Sequence, residues 1–230
     1  MINRLLIVIS VALLPGLISS CGKSGNASPA GLNIEYHVLN LSPDAQPVYL
    51  YIDNARVNAS PFTFGVDQGY FYVPSTDVPY QIRTALNTGT TLLTRSEVLK
   101  SGLKYTLYIT GTFTDGSDTS IFTVDTAKAP PLGRGKLRFV DVSPSALGGL
   151  DVYANGTRAF QNVPYLSTSK YLDLPDGNYD IQINATGTTS VLKDMPQVTI
   201  QDGRLYTLYA YGYTSRADSA AFNAAIITNK

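Results

Sequence analysis

The feature that most constrains this chain is a phrase written twice. "LNLSPDAQPVYLYIDN" occupies 39–54, and "VDVSPSALGGLDVYANG" occupies 140–156. Ser42-Pro43 matches Ser143-Pro144, and Tyr51-Ile52-Asp53-Asn54 matches Tyr153-Ala154-Asn155-Gly156. Two further phrases recur in the same order. "YFYVP" at 70–74 returns as "YLDLP" at 171–175, and "GLKYTLYITG" at 102–111 returns as "GRLYTLYAYG" at 203–212. Three ordered matches whose spacing survives, with small slips in the loops, describe a tandem duplication, so the chain contains its fold twice.

Each copy reads as strands. Val48, Leu50 and Ile52 alternate with Tyr49 and Tyr51, and Leu150, Val152 and Ala154 alternate with Asp151 and Tyr153. A period of two sends one set to a buried face and the other away from it. Leu172 and Leu174, Ile181 and Ile183, and Tyr206, Leu208 and Ala210 continue the pattern. Asn155-Gly156 supplies the positive-φ pair of a type I′ hairpin, with Asp53-Asn54 as its weaker counterpart. In "SPDA" (42–45), Pro43 presets φ for a type I turn, and Asp44 can bond back to backbone or serve a ligand. The expected fold is all-β: two tandem β-sandwich domains, immunoglobulin-like or of related topology, at 34–127 and 135–230. Pro130-Pro131 stiffens a linker at 128–134, short enough to set the sandwiches end to end, and each half is expected to fold alone.

The N-terminus sets the compartment. Arg4 precedes the apolar run "LLIVISVALLPGLI", which is too short for a confident membrane span and ends in Ile18-Ser19-Ser20-Cys21. That ending resembles the bacterial lipobox, in which small residues fit the peptidase and the Cys thiol receives the lipid. Residues 1–20 therefore read as a lipoprotein signal peptide, and Cys21 as the lipidation site. Cys21 is the chain's single cysteine, so lipidation leaves no thiol for a disulfide, a metal or catalysis. Residues 21–33, with "GKSGNASPAG" at 22–31, read as a flexible tether. The expected location is the cell envelope, at the outer membrane through the N-terminal lipid.

The quoted phrases resemble a bacterial family, the domain of unknown function numbered 4397, common in lipoproteins of Bacteroidota. Its pattern runs approximately SPDA-x-VDVYVDG, then L-P-x-G-x-Y, then G-x-x-Y-T-L-x-x-x-G. The second copy carries Leu150-Asp151-Val152-Tyr153, Leu174-Pro175-Asp176-Gly177-Asn178-Tyr179 and Gly203–Gly212. The first keeps Ser42-Pro43-Asp44-Ala45, has Tyr49 in place of the Asp, and lacks the central Gly. The resemblance implies a tandem-domain envelope lipoprotein and carries no activity onto particular residues.

The residues themselves argue against several chemistries. The 17 basic and 17 acidic side chains form no basic stripe, so nucleic acid is not an expected partner. His37 is the only histidine, which rules out a His-rich metal site and leaves one His for any Ser triad. The Asp115-Gly116-Ser117-Asp118 cluster offers too few oxygens for calcium and reads as a hairpin turn. No metal, no cofactor and no catalytic residue is expected, and the protein is read as a non-enzyme.

Tyrosine is the excess that remains, with 16 residues and no Trp. Tyr51, Tyr70 and Tyr108 in the first copy, and Tyr153, Tyr171, Tyr209 and Tyr211 in the second, fall opposite the inferred core, as do Tyr49 and Tyr72. Such rings either form a face that stacks on a glycan or anchors an envelope protein, or pack across strands. The functional expectation is a binding or spacing protein, with a glycan-binding or glycan-processing protein as the alternative.

Overall fold

The computed structural model describes residues 33–74, 77–86 and 89–229. Among these residues the first repeat forms eight strands, β1 (Ile34–Asn40), β2 (Val48–Ile52), β3 (Ala55–Arg56), β4 (Phe71–Val73), β5 (Tyr80–Thr84), β6 (Thr91–Arg95), β7 (Lys104–Thr110) and β8 (Thr119–Val124). The second forms nine: β9 (Arg134–Asp141), β10 (Leu150–Ala154), β11 (Thr157–Val163), β12 (Ser167–Thr168), β13 (Leu172–Pro175), β14 (Gly177–Ala185), β15 (Val191–Ile200), β16 (Leu205–Tyr211) and β17 (Asn223–Thr228).

Period-two patterning positions these strands as anticipated. Val48, Leu50 and Ile52 point into one core, and Leu150, Val152 and Ala154 into the other. The hairpin turns adopt positive φ at Asp53 (50°), Asn54 (59°), Asn155 (48°) and Gly156 (74°), as a primed turn demands. In the first repeat, sheet β4-β1-β7-β8 packs on sheet β3-β2-β5-β6. In the second, β12-β9-β16-β17, with β13 also on β9, packs on β11-β10-β14-β15. Both are β-sandwiches.

Their strand order departs from the immunoglobulin arrangement of ABED over CFG. Here the first strand of each repeat lies parallel to the strand of its YTL phrase. Tyr36 pairs with Tyr105 and Leu39 with Tyr108. Leu137 likewise pairs with Tyr206 and Val140 with Tyr209.

The duplicated corner fastens the sandwich end. Asp44 accepts backbone bonds from Phe113 and Thr114, both at 2.9 Å, so it locks the corner to the turn after β7. In the second repeat Ser145 Oγ accepts from the Thr214 backbone N–H at 2.8 Å, and Ser143 Oγ donates to the Gly212 carbonyl at 2.7 Å. The Asp-to-Ser exchange keeps the lock and changes its chemistry. Each YTL phrase ends in glycine for a related reason. Gly111 (φ 79°) and Gly212 (φ 78°) are left-handed, and a Cβ would collide with the carbonyl oxygens of Ser117 and Ala221 respectively.

The two sandwiches do not lie end to end. Leu39 and Leu41 from β1 and its exit, with Tyr108 of β7, meet Val140, Val142, Tyr209 and Ile227 in a third buried cluster. Sheet β4-β1-β7-β8 thus faces sheet β12-β9-β16-β17, giving four stacked layers with three apolar seams. The central strands of the middle layers are accordingly buried on both faces: β7 from Tyr105 through Thr110, and β16 from Leu205 through Ala210. A separated half would expose the Leu39–Tyr108 face to water, which argues against independent folding.

Candidate functional site

The seven tyrosines singled out by the sequence do not share one exposed face. Tyr108 is fully buried and Tyr209 is 4% exposed, with ring centroids 5.7 Å apart and planes at 59°. Tyr211 packs on Tyr209 with centroids 5.7 Å apart. The alternation was correct, since Leu208 and Ala210 fill the second sandwich core. The other face of β16 meets the first domain instead of solvent, because the two repeats present the same apolar surface to each other.

Corresponding residues meet across this seam. Tyr108 lies beside Leu39 and Tyr209 beside Val140 in matching parallel registers, and the two rings contact each other. The arrangement is that of an isologous dimer interface built within one chain.

Tyr70 and Tyr171 occupy a buried polar knot at one end of the seam. The Tyr70 hydroxyl donates to Asp125 Oδ2 at 2.7 Å and accepts from Asn229 Nδ2 at 2.7 Å. Tyr171 donates reciprocally to the Asp125 carbonyl at 3.4 Å, and the Arg138 guanidinium lies 5.0 Å over its ring. Asp125 is wholly buried and ion-paired with Arg138, which is 4% exposed. Its carboxylate also accepts from Thr106 (2.6 Å) and Thr123 (2.8 Å). Arg138 in turn donates to Thr207 Oγ1 and to the Val124 carbonyl, each at 2.8 Å. Burying two charges is costly unless their remaining hydrogen bonds are made, and here they are. The knot joins the domains. Burial, with the Asp125 charge beside it, pushes the Tyr70 hydroxyl far above its ordinary range, so it stays a proton donor.

His37 faces the same seam, with Nε2 2.8 Å from Asp67 Oδ1 and its ring 5.1 Å from that of Tyr70. The imidazole beside it holds the Asp67 carboxyl below its usual value. Asp115 accepts from the Ser117 backbone and from the Thr112 hydroxyl, as a solvated turn does. Among the described residues no group of three or more His, Cys, Asp or Glu side chains is placed to hold a metal ion. Cys21 lies outside the described residues, as do residues 1–20 and nearly all of the tether.

Tyr51 and Tyr153 are the members that do face outward, on the outermost layers of the stack. They are equivalent, paired across strands with Gln81 and Gln182 respectively. Their surroundings differ. In the first repeat Arg83 lies 4.4 Å over the Tyr51 ring, and Arg56 lies 4.6 Å over Tyr49. In the second repeat the position of Arg83 is taken by Asn184, opposite Asp151 as Arg83 is opposite Tyr49. Asn184 is too short to cover a ring. The Tyr153 ring borders a groove of about 340 Å³ with Gln182, Asn184, Thr188, Thr189, Val191 and Gly156. The turn that walls it is tied down by the buried Asp151 carboxylate, which accepts from Thr186 Oγ1 at 3.1 Å. A single exchange between the repeats, Arg for Asn, was the sequence signal for this groove.

The model of the family described as Domain of unknown function (DUF4397) matches the chain twice, at 35–148 and 145–230. No curated protein matches the chain. With most of its length covered, the chain belongs to the DUF4397 family and carries two copies of its domain.

Proposed function

We propose that this protein is a lipid-anchored component of the bacterial cell envelope, held at the outer membrane through Cys21, that acts by binding or spacing and not by catalysis. The observation that carries the anchor is Ile18-Ser19-Ser20-Cys21 closing an apolar run, with no second cysteine in 230 residues. A spacing role is supported by the four-layer stack, whose domains are fixed together by an apolar seam and a buried ion pair. The non-catalytic reading is supported by what the acidic side chains do. Asp44 locks a corner, Asp125 holds the domain seam, and Asp151 ties down a turn. A glycan-binding role is favoured at one place, the open ring of Tyr153.

Fractionation tests the anchor. Cys21→Ser should move the protein from the membrane fraction to the soluble envelope fraction. A variant that stays with the membranes would count against lipidation at Cys21.

A further inference from the structure

We infer that the groove over Tyr153 is a binding site for a neutral saccharide, and that only the second repeat carries it. The inference rests on the binding reading above and names its ligand class.

The floor of the groove is the outer face of β10 and β14. Tyr153 and Gln182 stand side by side there, with Asn184 one step further along β14. Gly156 of the hairpin turn closes one end, and Thr188, Thr189 and Val191 form the far wall. The volume, about 340 Å³, falls at the low end of small-ligand sites.

Three features define what would fit. First, no guanidinium among the described residues lies over the Tyr153 ring, because Arg158, opposite it on β11, pairs with Asp151 at 3.9 Å, whereas both outward rings of β2 are covered by guanidinium groups. An open aromatic face stacks on the C–H face of a sugar ring, and its hydroxyl adds a polar handle. Second, Asn184 is 7% exposed, and its Oδ1 is buried without a hydrogen-bond partner among the described residues. A buried amide left unpaired costs free energy, and a rotation of the Asn184 side chain towards the groove would let a ligand hydroxyl recover it. Whichever way the amide is turned, a hydroxyl can serve it, because a hydroxyl both donates and accepts. Third, the lining has two amides and two threonine hydroxyls and no charged side chain. Arg158 and Asp194, of opposite sign, stand beside the lining across from Tyr153 and Gln182, so neither a net anion nor a net cation is singled out.

An extended peptide fits less well. Peptides that bind sheets add to an edge, where backbone groups are free. This groove lies over β10 and β14, the two inner strands of the sheet order β11-β10-β14-β15, whose backbone groups are already paired.

Between the repeats the same sheet face therefore has two fates. Arg83 seals it in the first, and Asn184 opens it in the second. Asn184 is also the one member of the pair whose hydrogen bonding is incomplete.

The test is a ¹H–¹⁵N titration of the full chain, in a detergent without sugar headgroups. The probes are maltose, cellobiose, N,N′-diacetylchitobiose and an uncharged hexapeptide. The expected result is saturable shifts of the Gln182 and Asn184 side-chain amides with at least one disaccharide and none with the peptide. Tyr153→Ala and Asn184→Ala should each weaken that binding tenfold or more. Tyr153→Phe should keep it within a few-fold, and Tyr51→Ala should leave it unchanged. No disaccharide binding, saturable peptide binding at these amides, or disaccharide binding indifferent to Tyr153→Ala would each overturn the inference. A wild-type protein that binds no sugar, with a Cys21→Ser variant that leaves the membrane fraction, would overturn the saccharide site and leave the anchored-spacer reading standing. Cleavage of a bound disaccharide would support the saccharide site and defeat the non-catalytic reading instead.

Discussion

Replacing Asp141 by Asn should stabilise the protein at pH 8 and hardly at all at pH 4. Asp141 and Asn40 hold the same place in the two repeats, two residues before the corner serine. Each accepts a bond from that serine's backbone N–H through Oδ1, Asp141 at 2.9 Å and Asn40 at 3.3 Å. The second side-chain atom distinguishes them. Asn40 Nδ2 donates to the carbonyls of Gln46 (3.0 Å) and Phe62 (3.3 Å), whereas Asp141 Oδ2 is buried with no partner among the described residues. Burial pushes the Asp141 carboxyl up to about 7 from an ordinary 3.8, and the single bond from Ser143 only partly offsets it. The native state therefore holds a proton that the unfolded chain releases between those two values. Below about pH 4 the group is neutral in both states and costs nothing. As pH rises towards 7 the unfolded state gains by ionising while the native state does not, and above 7 the loss is complete. The gap between the two values corresponds to about 4 kcal/mol as an upper figure, at about 1.4 kcal/mol per tenfold. Urea unfolding at pH 4, 6 and 8 should give Asp141→Asn a stability advantage that grows across the series. The converse exchange, Asn40→Asp, should destabilise most at pH 8, because a carboxylate would then face two carbonyl oxygens. Parallel pH profiles for wild type and Asp141→Asn would refute the reasoning.

Asp125→Asn should cost about 3–5 kcal/mol in urea unfolding, because it leaves the Arg138 guanidinium buried without its counter-charge; a loss under 1 kcal/mol would show that water reaches the knot. The Tyr108 hydroxyl is buried without a partner among the described residues, so Tyr108→Phe should be neutral or stabilising by about 1 kcal/mol, while Tyr108→Ala should cost about 3–5 kcal/mol by calorimetry.

Much of the architecture was legible because its causes are local. Asn155-Gly156 needs only its own backbone preference to make a turn, and Val152 needs only its parity to be placed in a core. The partner of the opposite face is a different kind of fact. Period two separates Tyr209 from Leu208 but cannot say whether water or another sheet lies beyond Tyr209. A signal was present: "RFVDV" and "YTLYAY" place bulky groups at both parities, as strands buried on both faces do. The parallel pairing of Leu39 with Tyr108 joins residues far apart in sequence, and alternation carries no record of strand order. The Tyr153 groove was half legible. Alternation points Tyr153 outward, and the repeat offset sets Asn184 against Arg83, but that the Arg83 side chain covers the Tyr51 ring is a contact that only the fold reveals.

With Tyr70, Tyr108, Tyr171 and Tyr209 spent on the seam between them, the two repeats should unfold as one cooperative unit. Hydrogen exchange read by mass spectrometry across a urea series tests it directly. Peptides covering β7 and β16 should lose protection together, at one urea concentration and with one free energy of opening. If the β16 peptide stayed protected after the β7 peptide had exchanged fully, or the reverse, the repeats would be independent domains and the account of the tyrosine seam would be contradicted.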